Sequence, residues 1–89
     1  MDSVRERVAE VDDNALLADG FDRCIIGITD SWSGASRPTR VVYSVEKIID
    51  QLMTEDGLSY EEADEHFEFN VAGSYVGEHT PVFVRALED

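Results

Sequence analysis

Twenty acidic residues against one lysine and six arginines give this 89-residue chain a formal net charge of −13, and 43% of its residues are hydrophobic. So large a negative charge argues against direct contact with DNA, RNA or anionic membranes, which depends on Lys and Arg neutralising phosphates. The clustered aliphatic residues argue against global disorder. The length suits one domain, and a chain this short buries only about 60–65% of its extended surface, so its core is small.

Cys24 stands alone, so no internal disulfide can form, and the chain reads as an intracellular, cytoplasmic protein. The N-terminal residues carry no apolar signal-peptide region, and no apolar run approaches membrane-spanning length.

Residues 1–20 read as an N-terminal arm or a short helix, and residues 21–89 as a single α+β domain. Within the arm, Ser3 and Glu6 have capping-box spacing, and Val4, Val8 and Val11 share a stripe. A helix over 3–11 is too short to persist without docking, and a frayed arm is the competing reading. Asp12-Asp13-Asn14 ends it. Phe21 to Thr29 reads as a strand with Cys24, Ile26 and Ile28 on its core face. A Ser-, Gly- and Pro-rich loop with Trp32 near its start leads to a second strand at 40–44, which permits an antiparallel hairpin.

Ser44 can cap the next helix. Its residues Val45, Ile48, Ile49, Leu52 and Met53 form a stripe at helical spacing. Gly57 is a C-cap candidate. Ser59 and Glu62 form another capping box, opening a helix with Tyr60, Ala63 and Phe67 inward and Glu61, Glu62, Glu65 and Glu68 outward. Phe69 to Glu78 reads as a turn-rich connection. Thr80 to Leu87 reads as the last strand, with Pro81 marking an edge or strand-entry position. The expected fold is therefore α+β: a small three-stranded antiparallel sheet with two helices packed on one face, in the order (α)-β-β-α-α-β.

Several elements are not generic filler: Asp56-Gly57-Leu58-Ser59-Tyr60-Glu61-Glu62-Ala63, Phe67-Glu68-Phe69-Asn70, Gly73, Tyr75-Val76-Gly77-Glu78 and Thr80-Pro81-Val82-Phe83, with Ile25-Ile26-Gly27 and Val42-Tyr43 before them. On these residues, over about two-thirds of its length, the chain resembles a family of small, uncharacterised acidic proteins of phage and prophage genomes. The resemblance implies a phage context, and with it the host cytoplasm. It carries no activity and no catalytic residue. By analogy, small acidic phage proteins act as inhibitors of host machinery, such as nucleic-acid-handling or anti-CRISPR-targeted defence proteins.

The residues themselves point to contact with a protein. Between Glu55 and Glu68 lie seven carboxylates in fourteen residues with no Lys or Arg: Glu55, Asp56, Glu61, Glu62, Asp64, Glu65 and Glu68. Such a face attracts basic surfaces. Carboxylates on successive helical turns approximate the row of phosphates on duplex DNA, spaced about 1.7 Å per charge. The competing readings are a face that serves only solubility and an adaptation to salt. Trp32 is a second partner-binding candidate, since exposed Trp is enriched in interface hot spots; the alternative is that it folds back over the sheet. Arg37 and Arg40 stand near Trp32 in sequence and could clamp a carboxylate, of a partner or of the same chain.

Enzymatic readings are weaker. His66 and His79 match no zinc spacing, Cys24 falls on a predicted core strand where a thiol is inert, and the glycines from Gly73 to Gly77 lack the rest of a P-loop. The carboxylate pairs look solvated, without the burial that tunes catalytic acids. No cofactor or metal is implied. The expectation is a non-enzymatic protein that binds a basic protein surface, possible partners including a nucleic-acid-binding protein. The alternative is a homodimeric accessory protein whose acidity serves only solubility or salt adaptation.

Overall fold

The computed structural model describes residues 3–30, 32, 34–74, 77 and 79–87. Tyr75, Val76 and Glu78 of the resemblance, and Ser31 and Ser33 beside Trp32, lie outside the described residues. The regular elements are α1 (Val4–Val11), β1 (Ile25–Thr29), β2 (Arg40–Ser44), α2 (Val45–Asp56), α3 (Tyr60–His66) and β3 (Val82–Val84). The α+β class and the strand–strand–helix–helix–strand order match the expectation.

The sheet has the order β1-β2-β3, with β1 antiparallel and β3 parallel to β2. It is therefore mixed, and the expected all-antiparallel sheet is corrected. The ten-residue connection over 30–39 reverses the chain between the antiparallel β1 and β2. The connection over residues 45–81 instead holds two helices, which is ample for the crossover of about a dozen residues that a parallel pair requires. Pro81 precedes β3, which is an edge strand, as a missing backbone donor favours.

The core sits on one face of β2. Val41 and Tyr43 are fully buried, alternating with half-buried Arg40, Val42 and Ser44, as expected of a strand packed on one side. Against this face α2 places Val45, Ile48, Ile49 and Leu52, all buried. Met53 falls on the rim and is exposed. Ile25, Tyr43 and Phe83 form a row across all three strands. The Tyr43 and Phe83 rings lie 5.6 Å apart, and Phe67 meets Phe83 edge-on at 5.3 Å. Tyr43 reaches beyond the sheet: its buried hydroxyl accepts the Ala18 N–H at 2.7 Å and so ties the segment after α1 to the core.

Caps set the helix ends. The Ser44 hydroxyl accepts from the Lys47 N–H, and Gly57 closes α2 at φ 69°, a left-handed conformation open to glycine. Ser59 and Glu62 form the complete capping box of α3. At α1 the Ser3 hydroxyl accepts from the Glu6 N–H, one half of the expected box. Of the valine stripe only Val8 is buried, and Val11 faces out. Arg5 pins α1 through Asp22 at 2.7 Å and Asp19 at 3.2 Å.

The first strand begins later than its sequence pattern implies. Residues Asp22–Cys24 form a 3-10 turn that buries Cys24. A bulge between Ile25 and Gly27 then shifts the register. The extra residue breaks strict alternation, so Ile26 leaves the core face, and at the sheet's edge Ile28 stays uncovered: both are exposed, against the expectation of a core role. Directly beyond α3, up to Ser74, the chain does not loosen into the expected turns. It continues as a π-helical segment, Phe67–Val71, and a 3-10 turn, Ala72–Ser74. Ala63, Phe67 and Val71 are buried at four-residue spacing, which drifts by about 40° per step on an α-helix. The wider π turn keeps Phe67 and Val71 in line.

Candidate partner-binding face

The acid-rich segment does not make one rod. Gly57 divides it, leaving Glu55 and Asp56 on the last turn of α2 and the other five carboxylates on α3 and its π-helical continuation. On α3, Ala63 and Phe67 face the core. Tyr60, expected inward, is the first residue of the helix and is 57% exposed. The outward stripe runs Glu61, Glu65, Phe69 at four-residue spacing, and all three are exposed.

The chain's own arginines engage three of the seven carboxylates. Arg85, just after β3, donates to Asp64 at 2.9 Å and Glu68 at 3.2 Å, with its guanidinium 5.9 Å from the Phe67 ring centre. Arg23, just before β1, is paired with Glu55. Glu62 is occupied differently: it accepts the Ser59 N–H at 2.9 Å, and this backbone hydrogen bond holds its carboxyl below the usual range. Among the described residues Asp56, Glu61 and Glu65 have no partner of any kind. The segment thus contributes a smaller free face than its composition implies.

At the C-terminal end of that face is a residue that counting charges does not reveal. Phe69 is 75% exposed, directly after Glu68 in sequence and one turn beyond Glu65 on the stripe that begins at Glu61. The π-helical segment presents it by burying its neighbours Phe67 and Val71. Local π-helix is frequent at functional sites. The signal for this arrangement was the Phe-Glu-Phe-Asn element, whose two phenylalanines, two apart in a helix, cannot both point inward.

Trp32 is also exposed, at 70%, and so does not fold back over the sheet. Arg37 lies over its ring at 5.4 Å and reaches back to Asp30, donating to its backbone carbonyl at 3.0 Å and its carboxylate at 3.3 Å. Of the two alternatives for the carboxylate that Arg37 clamps, the structure shows the same-chain one. No contact among the described residues joins Trp32 to the acids of α2 and α3, so the partner-binding candidates form two places, not one.

The remaining candidates are accounted for locally. His79 lies 3.3 Å from Asp12. The Asn14 N–H, first, and the neighbouring His79 hold the Asp12 carboxyl below its ordinary range. His66 meets Asn70 at 3.4 Å. Cys24 is buried 3.6 Å from Gln51, and its burial pushes the thiol pKa up, away from the reactive thiolate. Among the described residues no group of three or more His, Cys, Asp or Glu side chains is placed to hold a metal ion, and no helix is long and apolar enough to cross a membrane. Comparison with protein-family models, with curated proteins and with solved structures finds no match to this chain.

Proposed function

We propose that this protein acts by stoichiometric binding of a basic protein surface through α3, and that in a phage setting it inhibits a host protein that handles nucleic acid. The observation that carries this reading is Phe69 standing exposed on the same stripe as the unpaired carboxylates of Glu61 and Glu65. Acids alone hydrate a surface. An aromatic ring exposed beside them costs solubility and gives a docking surface its apolar anchor, in the way aromatic hot spots work next to polar contacts. Asp56 extends the charge toward α2. Glu62 is held in its cap, and Glu55, Asp64 and Glu68 are held by arginines, so their role is to shape the face. Trp32 is a separate candidate contact on the β1–β2 loop.

Capture from a host lysate at low and at high salt tests this. Electrostatic steering makes such binding salt-sensitive. The expected result is a partner that wild type retains at low salt, and that neither F69A nor the E61K/E65K double variant retains. F69A changes no charge. A partner held equally by F69A and wild type reduces the acids to bulk attraction, and a partner held equally by E61K/E65K removes the acidic face from binding altogether.

A further inference from the structure

At the other end of the sheet, a groove of about 510 Å³ runs between α1 and β1. Its apolar lining is open: Val11 is 58% exposed, Ile26 52% and Ile28 44%. β1 is the outermost strand. Its sequence, Ile-Ile-Gly-Ile-Thr, carries none of the charges or prolines that usually protect an edge. Outside its ladder with β2, the hydrogen bond to β1 among the described residues is that of its first residue, whose Ile25 N–H donates to the Asp22 carbonyl of the preceding turn; from Ile26 onward the outer edge is open.

Charge identifies what this face can accept. Arg5, Arg23, Arg37 and Arg85 each pair with a carboxylate of the chain. Arg7, which lines the groove, pairs with none among the described residues. One helical turn on, Glu10 lines the same groove and is likewise unpaired. The lining therefore sums to zero charge on a chain of −13. Two copies of so acidic a protein repel over most of their surface, and this apolar, neutral strip escapes that repulsion. It is also self-complementary, as a two-fold interface demands: what residue i meets on its partner, its partner's residue i meets in return.

We propose that the α1–β1 groove is a homodimer interface. The free edges of two β1 strands run antiparallel about a two-fold axis, Ile26 and Ile28 close against their counterparts, and Arg7 of each copy meets Glu10 of the other. The bulge at Ile26 keeps the strand pairing short, so the side chains of α1 supply the rest of the contact. The acidic face on α3, beside β3, stays free in such a dimer.

Sedimentation equilibrium from low-micromolar to near-millimolar protein tests the proposal. A dimer of about 20 kDa is expected, twice the 10.0 kDa chain, and its population rises with salt as the mutual repulsion is screened. In salt, I28E, which alters an exposed position and leaves the far-UV circular dichroism unchanged, lowers the association constant by about tenfold or more, because a charge enters an apolar contact. R7E and E10R each weaken the dimer, and the R7E/E10R exchange restores it. A 10 kDa mass at every concentration overturns the proposal, as does a dimer indifferent to I28E. Single-variant losses that the exchange does not repair overturn the Arg7–Glu10 pairing and with it the two-fold arrangement. An acidic-face partner releases with salt whereas this dimer strengthens, so the two surfaces are read independently.

Discussion

The two ends of the sheet show opposite uses of charge on one small core. At the β3 end, Arg85 draws Asp64 and Glu68 inward and leaves Glu61, Glu65 and Phe69 facing out. At the β1 end, Arg7 and Glu10 stand unpaired over an apolar groove. The difference teaches that net charge is a poor guide to where this protein can bind. What matters is which carboxylates the chain has already engaged and which apolar side chains it leaves among the rest.

If both ends rest on one core, breaking that core must remove them together. Ile48, fully buried where α2 meets β2, is the most damaging position: I48A is expected to cost about 2–5 kcal/mol, a large share of a total stability of about 5–15 kcal/mol. Trp32 fluorescence and far-UV circular dichroism should follow the same denaturant transition. Two separate transitions would break the comparison by showing that the ends fold apart.

Smaller changes should separate the ends. Y43F strands the buried Ala18 N–H, which donates to the Tyr43 hydroxyl, at a cost of about 1–3 kcal/mol. Amide exchange should quicken most in residues 15–24, beside the groove. S59A removes the hydroxyl half of the α3 capping box, at a cost of about 1 kcal/mol. Exchange should then quicken over residues 60–66 while α1 is unchanged. Equal effects of the two variants on both ends would contradict their independence.

The smallest effect is on pH dependence. Asp12 and Glu62 both have folded pKa values below the ordinary carboxylate range, set first by the backbone N–H of Asn14 and of Ser59, respectively. With the folded value depressed, each carboxylate stabilises the fold above its unfolded pKa, and that contribution disappears as pH falls through the folded value. Melting temperature should therefore drop on acidification through and below the ordinary carboxylate range, and drop less in E62Q, which has no charge to lose. An E62Q profile parallel to wild type would show that the cap carries no acid sensitivity.

The sequence made α2 legible because its apolar spacing, its Ser44 cap and its Gly57 stop agree, and the structure keeps all three. The hairpin and the α3 capping box were readable for the same reason. Four features were not. The parallel pairing of β3 depends on where two helices deliver the chain, a tertiary outcome that no local pattern encodes. The bulge in β1 turns Ile26 out of an alternation that looked intact. The pairing of Arg23 and Arg85 with Glu55, Asp64 and Glu68 spans sequence separations that the density of acids between 55 and 68 conceals. Phe69 was misread as the start of a loop because its exposure comes from a π-helical turn that serves the burial of Phe67 and Val71.

The most direct measurement is the affinity of a captured partner for wild type and for F69A at fixed salt, by titration calorimetry. Phe69 as an apolar anchor predicts a loss of about 2 kcal/mol or more, the scale of an interface hot spot, with the salt dependence of the remaining binding unchanged because no charge is altered. An F69A protein that binds as tightly as wild type would contradict the docking role of the α3 face and leave its acids as a solvated surface.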